Sequence, residues 1–347
     1  MAGQGYYAAA VTLPTLIDKI ANELIATGAG WSDGDASWNS GKRCIKYTGS
    51  ETMYVALEMI NTTNGVDLYV SSATFNGKGL KITLSDNWSG GAPSGNTQDT
   101  FIQFEACYGS GTARYVTGNL TTMLISYYLW IDNNGFVVMG VPEPNTADNR
   151  QGSFIAVIER MVTKEYTDSS GNFYGYFRCN YYEICTTITG QTTYDGRRTW
   201  TCLRPFRYKT HPYRTFYPVA DNQDISPDSN GSYNEIHKSW DATYFGHKYD
   251  PCGIEFAKLA IKSSGNGKVY FTKPIIHNSI YLSGFKHETA FDPIGLADLF
   301  IAWRPDSGLV DGDVIALPSP STVKYILKSL NSPDSATPLY YGIKYNA

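Results

Sequence analysis

Residues 125–141 hold the feature that most constrains this chain. Ile125-Ser126-Tyr127-Tyr128-Leu129-Trp130-Ile131 and Phe136-Val137-Val138-Met139-Gly140-Val141 are two strand-forming runs separated by Asp132-Asn133-Asn134-Gly135. β-Branched and aromatic residues favour a pleated, half-buried surface. The four residues between them are turn formers, with Asn and Gly expected to supply positive φ values. A tight antiparallel hairpin follows, and a hairpin needs further strands to bury its apolar face. The next run, 153–161, predicts the return strand.

The same pattern recurs along the chain. In Thr52–Ile60, Met53, Val55, Leu57 and Met59 alternate with Thr52, Tyr54, Ala56 and Glu58, which reads as a strand with one apolar face. Further strands are predicted at 44–47, 68–72, 80–84 and 100–106, bounded by turn dipeptides such as Asn64-Gly65 and Asn76-Gly77. Beyond 165, runs at 173–188, 200–208, 254–261, 268–276, 299–303, 314–317 and 339–345 read as strands, while 323–330 suits helix or strand. The single clear amphipathic helix comes first. Thr12 is its expected N-cap, Pro14 lies in its first turn, and Gly28 is its stop. Leu16, Ile17, Ile20, Leu24 and Ile25 recur on one face. So short a helix is marginal alone, so this face must pack on its own sheet or on a neighbouring subunit.

The expected fold is therefore mainly β with a short N-terminal helix, built of antiparallel sheets or β-sandwich-like modules with long loops. A polar turn at 168–172 suggests two modules, 1–165 and 166–347. The second contains a long, mostly irregular stretch at about 209–251, and loops of that length usually reach a partner or ligand. Exposed polar segments at 90–97 and 221–233 are the expected sites of proteolytic nicking.

Composition narrows the function classes. Charged residues make up 17% of the 347, below the ~25% of ordinary soluble domains, whereas 27 Tyr, 15 Phe and 7 Trp bring aromatics to 14%. That excludes disorder and coiled coil. With 28 basic and 32 acidic residues the net charge is −4, which gives no electrostatic case for nucleic acid. No apolar run reaches the length of a membrane span, and no signal peptide is visible, so the expectation is synthesis in a cytoplasm and no membrane partner. The six cysteines lack C-x-x-C spacing and are expected to be mostly free thiols, with Cys185 and Cys202 the pair to watch.

Signatures of chemistry are sparse. There is no phosphate-binding glycine loop, no dinucleotide fingerprint and no G-x-S-x-G elbow. Asp33-Gly34-Asp35-Ala36-Ser37 begins like a calcium loop but has Trp38 at the sixth position, where the turn demands Gly, so it reads as an Asp-capped turn. His237, Asp241, His247, Asp250 and Cys252 match no ligand ladder, and their aromatic neighbours point to packing. Asp292, Asp298, Asp306, Asp311 and Asp313 cluster late in the chain; the last three sit beside Pro or Gly and read as turn residues. Carboxylates from different strands could flank a glycosidic bond. The basic run Arg197-Arg198 and 204–209 reads as an exposed hairpin of mixed charge.

Part of the chain resembles a family of tailed-bacteriophage virion structural proteins. The likeness covers about residues 6–162. It lies in the helix at 13–27, Gly30-Trp31, 41–47, 125–132, Gly135-Phe136-Val137-Val138 and the stretch from Ser153-Phe154 to Glu159-Arg160. The resemblance carries no catalytic residues. It implies a non-enzymatic structural component assembling in multiple copies in the tail, baseplate, collar or fibre region. Its expected partners are other virion proteins and copies of itself, and no cofactor or metal is expected. An alternative is a receptor-binding adhesin or glycan depolymerase that meets a host surface glycan. Candidate subunit contacts are Leu16, Ile17, Ile20 and Leu24 on the helix and Tyr213, Tyr217 and Tyr233 in the long stretch.

Overall fold

The structure, a computed structural model, describes residues 3–49, 52–60, 76–107, 119–143, 153–160, 173–180, 198–203, 271–273, 275–281, 289–296, 298–303, 308–317, 322–329 and 339–346. In chain order the elements are β1 (Gly5–Thr12), α1 (Leu13–Ala26), β2 (Trp31–Asp33), β3 (Lys42–Thr48), β4 (Thr52–Ile60), β5 (Asn76–Ser89), β6 (Ala92–Cys107), β7 (Leu124–Asp132), β8 (Gly135–Pro142) and β9 (Ser153–Arg160). They continue with β10 (Phe173–Asn180), β11 (Arg198–Leu203), β12 (Phe271–Thr272), β13 (Ile275–Tyr281), β14 (Thr289–Leu296), β15 (Phe300–Trp303), β16 (Val314–Ala316), β17 (Lys324–Ser329) and β18 (Leu339–Tyr345). The chain is mainly β with antiparallel pairing and one helix near its start, as its alternating runs predict. The ambiguous run at 323–330 is strand β17.

Three larger sheets organise these strands. The first has the order β1-β7-β8-β9-β10-β11, the second β2-β3-β4-β5-β6 and the third β12-β15-β18-β17-β16; β13 and β14 form a separate pair. The first sheet runs on past residue 165, since β9 and β10 pair in register from Arg160 opposite Phe173 to Ser153 opposite Asn180. No described helix is long and apolar enough to cross a membrane.

The main core lies between the first two sheets, with α1 packed into it. Leu13, Leu16, Ile17, Ile20, Ala21 and Leu24 of α1 are fully buried against Val55, Leu57 and Ile82 of the second sheet and Ile125, Leu129 and Phe136 of the first. Arg43 on β3 straps the polar side of the helix, donating to Asp18 (3.2 Å), Asn22 (2.9 Å) and Asp33 (2.7 Å). The helix stops as expected, with Gly28 at φ +68 donating its N–H to Ile25. Thr12 is its N-cap residue but makes no side-chain cap bond.

β8 and β9 differ from every amphipathic strand around them. Phe136 and Val138 face the helix-containing core, and Val137 and Met139, on the opposite face, are equally buried. Phe154 to Ile158 on β9 are buried at every position. A strand covered on both faces must be apolar throughout, which is why these runs lack alternation.

Three local expectations are corrected. Asn76-Gly77 is not a turn but the start of β5, opposite Cys107 and Ala106. The segment 90–97 is not a free loop: Gly90 and Gly91 turn the chain at positive φ, and β6 begins at Ala92 paired to Ser89. In the β7–β8 turn only Gly135 has positive φ. Asn133 and Asn134 do without it because the Asp132 carboxylate closes the turn, accepting the Asn134 N–H at 2.8 Å.

Gly135 is irreplaceable on two grounds. Its φ is +153, and a Cβ there would lie 1.9 Å from the Ile158 carbonyl oxygen. Gly135→Ala is expected to cost at least ~2 kcal/mol, and Ile20→Ala about 3 kcal/mol through the cavity it leaves. Urea unfolding checks both; losses under ~0.5 kcal/mol would contradict the packing described.

Candidate functional site

The described residues bring three carboxylates together on the face of the first sheet away from α1. Their origin is a register row. Asp132 on β7 lies opposite Gly135 on β8, which lies opposite Glu159 on β9. With no side chain at the middle position, the carboxylates of the two flanking strands approach across it. Asp298, just before β15, completes the group: one oxygen of each carboxylate lies within 4.8 Å of the others.

Cations of the third sheet meet this charge. Lys344 on β18 bonds Asp298 and lies 3.6 Å from Asp132, while Lys273 after β12 reaches Asp298 at 3.2 Å. Glu159 is 4% exposed and accepts the Asp298 N–H at 3.3 Å. Asp132 is held on both oxygens, by the Asn134 N–H and by the Trp130 indole N–H at 3.1 Å. Burial works to lower the Lys344 pKa, but the Asp298 charge and hydrogen bond, with Asp132 and Glu159, outweigh it and hold the ammonium well above its ordinary value. Burial, then the Asp298 charge, push the nearby Tyr325 phenol up to about 12, so it stays neutral at physiological pH.

An all-oxygen donor set of this kind suits a hard cation such as Ca²⁺ or Mg²⁺. Here the Lys344 ammonium supplies the positive charge among the carboxylates. For glycosidic chemistry a sugar or water must fit between two accessible carboxyl groups. Glu159 is buried and both Asp132 oxygens are engaged, so the geometry serves as an ionic tie between the first and third sheets. Neighbouring contacts extend that tie: Lys328 lies 4.3 Å over the Tyr128 ring, and Tyr6 packs edge-on against Tyr345 at 4.9 Å.

The sequence singled out Asp298 but not its partners. Asp132 reads as a turn residue, and Lys273 and Lys344 fall within the strand runs 268–276 and 339–345. The available signal was Glu159, a charge ending the uninterrupted apolar run 154–158.

Other expected sites resolve differently. Leu16, Ile17, Ile20 and Leu24 are corrected as subunit contacts: each is 0% exposed, because the chain's own two sheets cover that helix face. Tyr213, Tyr217, Tyr233, the histidine-rich stretch and Cys185 lie outside the described residues. In the calcium-like loop, Asp35 accepts the Ser37 N–H (2.9 Å) and hydroxyl (2.6 Å) and the Trp88 indole N–H (2.8 Å), which is a capped turn. Trp38, Trp88 and Tyr54 form an aromatic cluster beside it. Trp88 stacks on Tyr54 at 5.8 Å and meets Trp38 edge-on at 4.9 Å, and Lys42 lies 4.9 Å over the Trp38 ring. These faces are turned on one another. Cys44 is a free, buried thiol, pushed up to about 12 by burial and then by Asp35 and Asp33.

No protein-family model, no characterised protein and no solved structure matches this chain.

Lys344→Met is expected to destabilise the protein by about 2 kcal/mol or more, since it leaves Lys273 as the remaining cation beside three close carboxylates. A lysine whose folded pKa is raised stabilises fully below its ordinary value, and that contribution is lost as pH rises through the folded one. The gap between wild type and variant in urea unfolding should therefore hold constant from pH 7 to about 10 and narrow only at higher pH. A gap that is absent at pH 7, or that closes below pH 9, would contradict the tie.

Proposed function

We propose that this chain is a non-enzymatic structural component of a tailed-phage particle, made in the host cytoplasm and assembled in multiple copies in the tail, baseplate or collar region. The observation that carries the reading is the Asp132–Glu159–Asp298 group. Among the described residues it is the one group of three acidic, His or Cys side chains placed to hold a metal ion, and its charge is met internally by Lys344 and Lys273. Two further points support it. The segments 125–132, 135–138 and 153–160, which carry the resemblance to virion structural proteins, are strands β7, β8 and β9 at the centre of the fold. A charge-poor, Tyr-rich composition suits a chain that meets neighbours over much of its area.

Mass spectrometry of purified tailed-phage particles from a host expressing this chain tests the reading. The expected result is stoichiometric incorporation, with no reducing ends released when the purified protein is incubated with host surface polysaccharide. A variant lacking 221–233 should keep the thermal unfolding of the intact chain and incorporate poorly. Absence from particles, or polysaccharide cleavage, would overturn the proposal, and cleavage would put the adhesin–depolymerase reading in its place.

A further inference from the structure

β1 ends the first sheet among the described residues, and its Ala8, Ala9 and Ala10 are exposed. Proteins ordinarily guard an edge strand with charge, Pro or a bulge. β1 contains none of these: Tyr6-Tyr7-Ala8-Ala9-Ala10-Val11-Thr12 is uncharged, and its eight residues pair with β7 without a register shift.

Two hydrogen bonds fix which backbone groups face outward. The Tyr6 N–H donates to the Asn346 side chain at 2.9 Å and so points away from β7. On the far side of β7, the Leu124 carbonyl accepts from Glu143 N–H at 2.8 Å, so even-numbered residues of β7 serve β8 and odd-numbered ones serve β1. Both observations give one phase. Tyr7, Ala9 and Val11 bond to β7, and Ala8 and Ala10 present N–H and C=O outward. Asn346 closes this window at one end, and the start of α1 at Leu13 closes it at the other.

From this phase, resting on the assembly reading, we infer that the edge of β1 receives the same strand of a second copy of this chain, antiparallel about a two-fold axis at Ala9. The window is self-complementary. Ala8 of one copy exchanges a pair of hydrogen bonds with Ala10 of the other, and the symmetric pair forms across the axis, where Ala9 meets Ala9 as a non-hydrogen-bonded pair. Only methyl groups lie at the centre, and no like charges oppose one another. The first sheets of two copies then become one continuous sheet.

Native mass spectrometry and sedimentation of the full chain test this. The wild type should form a dimer with rising concentration. Ala8→Pro with Ala10→Pro removes only outward N–H groups, so it should be monomeric with near-normal thermal unfolding. Ala9→Lys and Ala9→Glu leave the β7 ladder intact and each sets like charges opposite one another, so each alone should be monomeric. Mixing the two in equal amounts should restore a heterodimer. A wild type that stays monomeric throughout overturns the inference, as does a dimer that survives in Ala9→Lys or in the double-proline variant. A wild-type dimer with no recovery in the Lys–Glu mixture overturns the Ala9 axis. Incorporation into particles by a monomeric wild type rejects this strand pairing alone and leaves the assembly reading in place.

Discussion

A carboxylate on a strand covered from both sides has to be met by other groups, and Glu159 is that carboxylate. It is the one buried charged residue among the described residues, and it sits on β9 directly after five buried residues. The Asp298 N–H reaches it, Asp298 brings Lys344 and Lys273, and Lys344 reaches back toward Asp132. The third sheet, more than a hundred residues later in sequence, is thereby tied to the β7–β9 layer. Gly135 makes this possible, because any side chain in the middle of the Asp132–Gly135–Glu159 row would collide with β9.

The opposite face of that layer is governed by the hydrophobic effect instead. There α1 and the second sheet bury one continuous apolar core, with Arg43 and the Trp31 indole, which donates to the Asn133 carbonyl at 3.0 Å, fixing the elements at its edges. The first sheet thus buries apolar side chains on both faces, and the face bearing Val137, Met139, Ile155 and Val157 adds directional ion pairing at its Asp132–Glu159 end. Burial favours compactness with little preference for orientation. Ion pairs and hydrogen bonds set the relative placement of the sheets, though their net contribution is modest once desolvation is counted.

What the sequence made legible was decided by how local each signal is. Thr52–Ile60 and Leu339–Tyr345 carry their own alternation, and both are strands over those residues. The helix face is equally local, but the identity of its cover is not: periodicity places Leu16, Ile17, Ile20 and Leu24 on one side without saying which surface they meet. β1 has no such local signal, because Ala8-Ala9-Ala10 has poor strand propensity and the strand is set by pairing with β7. The β5–β6 hairpin is interrupted by Gly, Asn and Ser, which read as turns until a partner strand is present. The carboxylate–lysine tie is the least local feature. Asp132, Glu159, Asp298 and Lys344 meet only through strand register and the docking of a distant sheet, and neither leaves a trace in spacing.

The most direct measurement of the central claim, that this cluster is a structural tie between two sheets, is native-state hydrogen exchange on wild type and Lys344→Met. The variant is expected to lose protection in β15, β17 and β18 while β7, β8 and β9 keep most of theirs, because the face they turn to α1 and the second sheet remains covered. Unchanged protection in β15, β17 and β18 would contradict it and would free the carboxylates for a role other than holding the fold together.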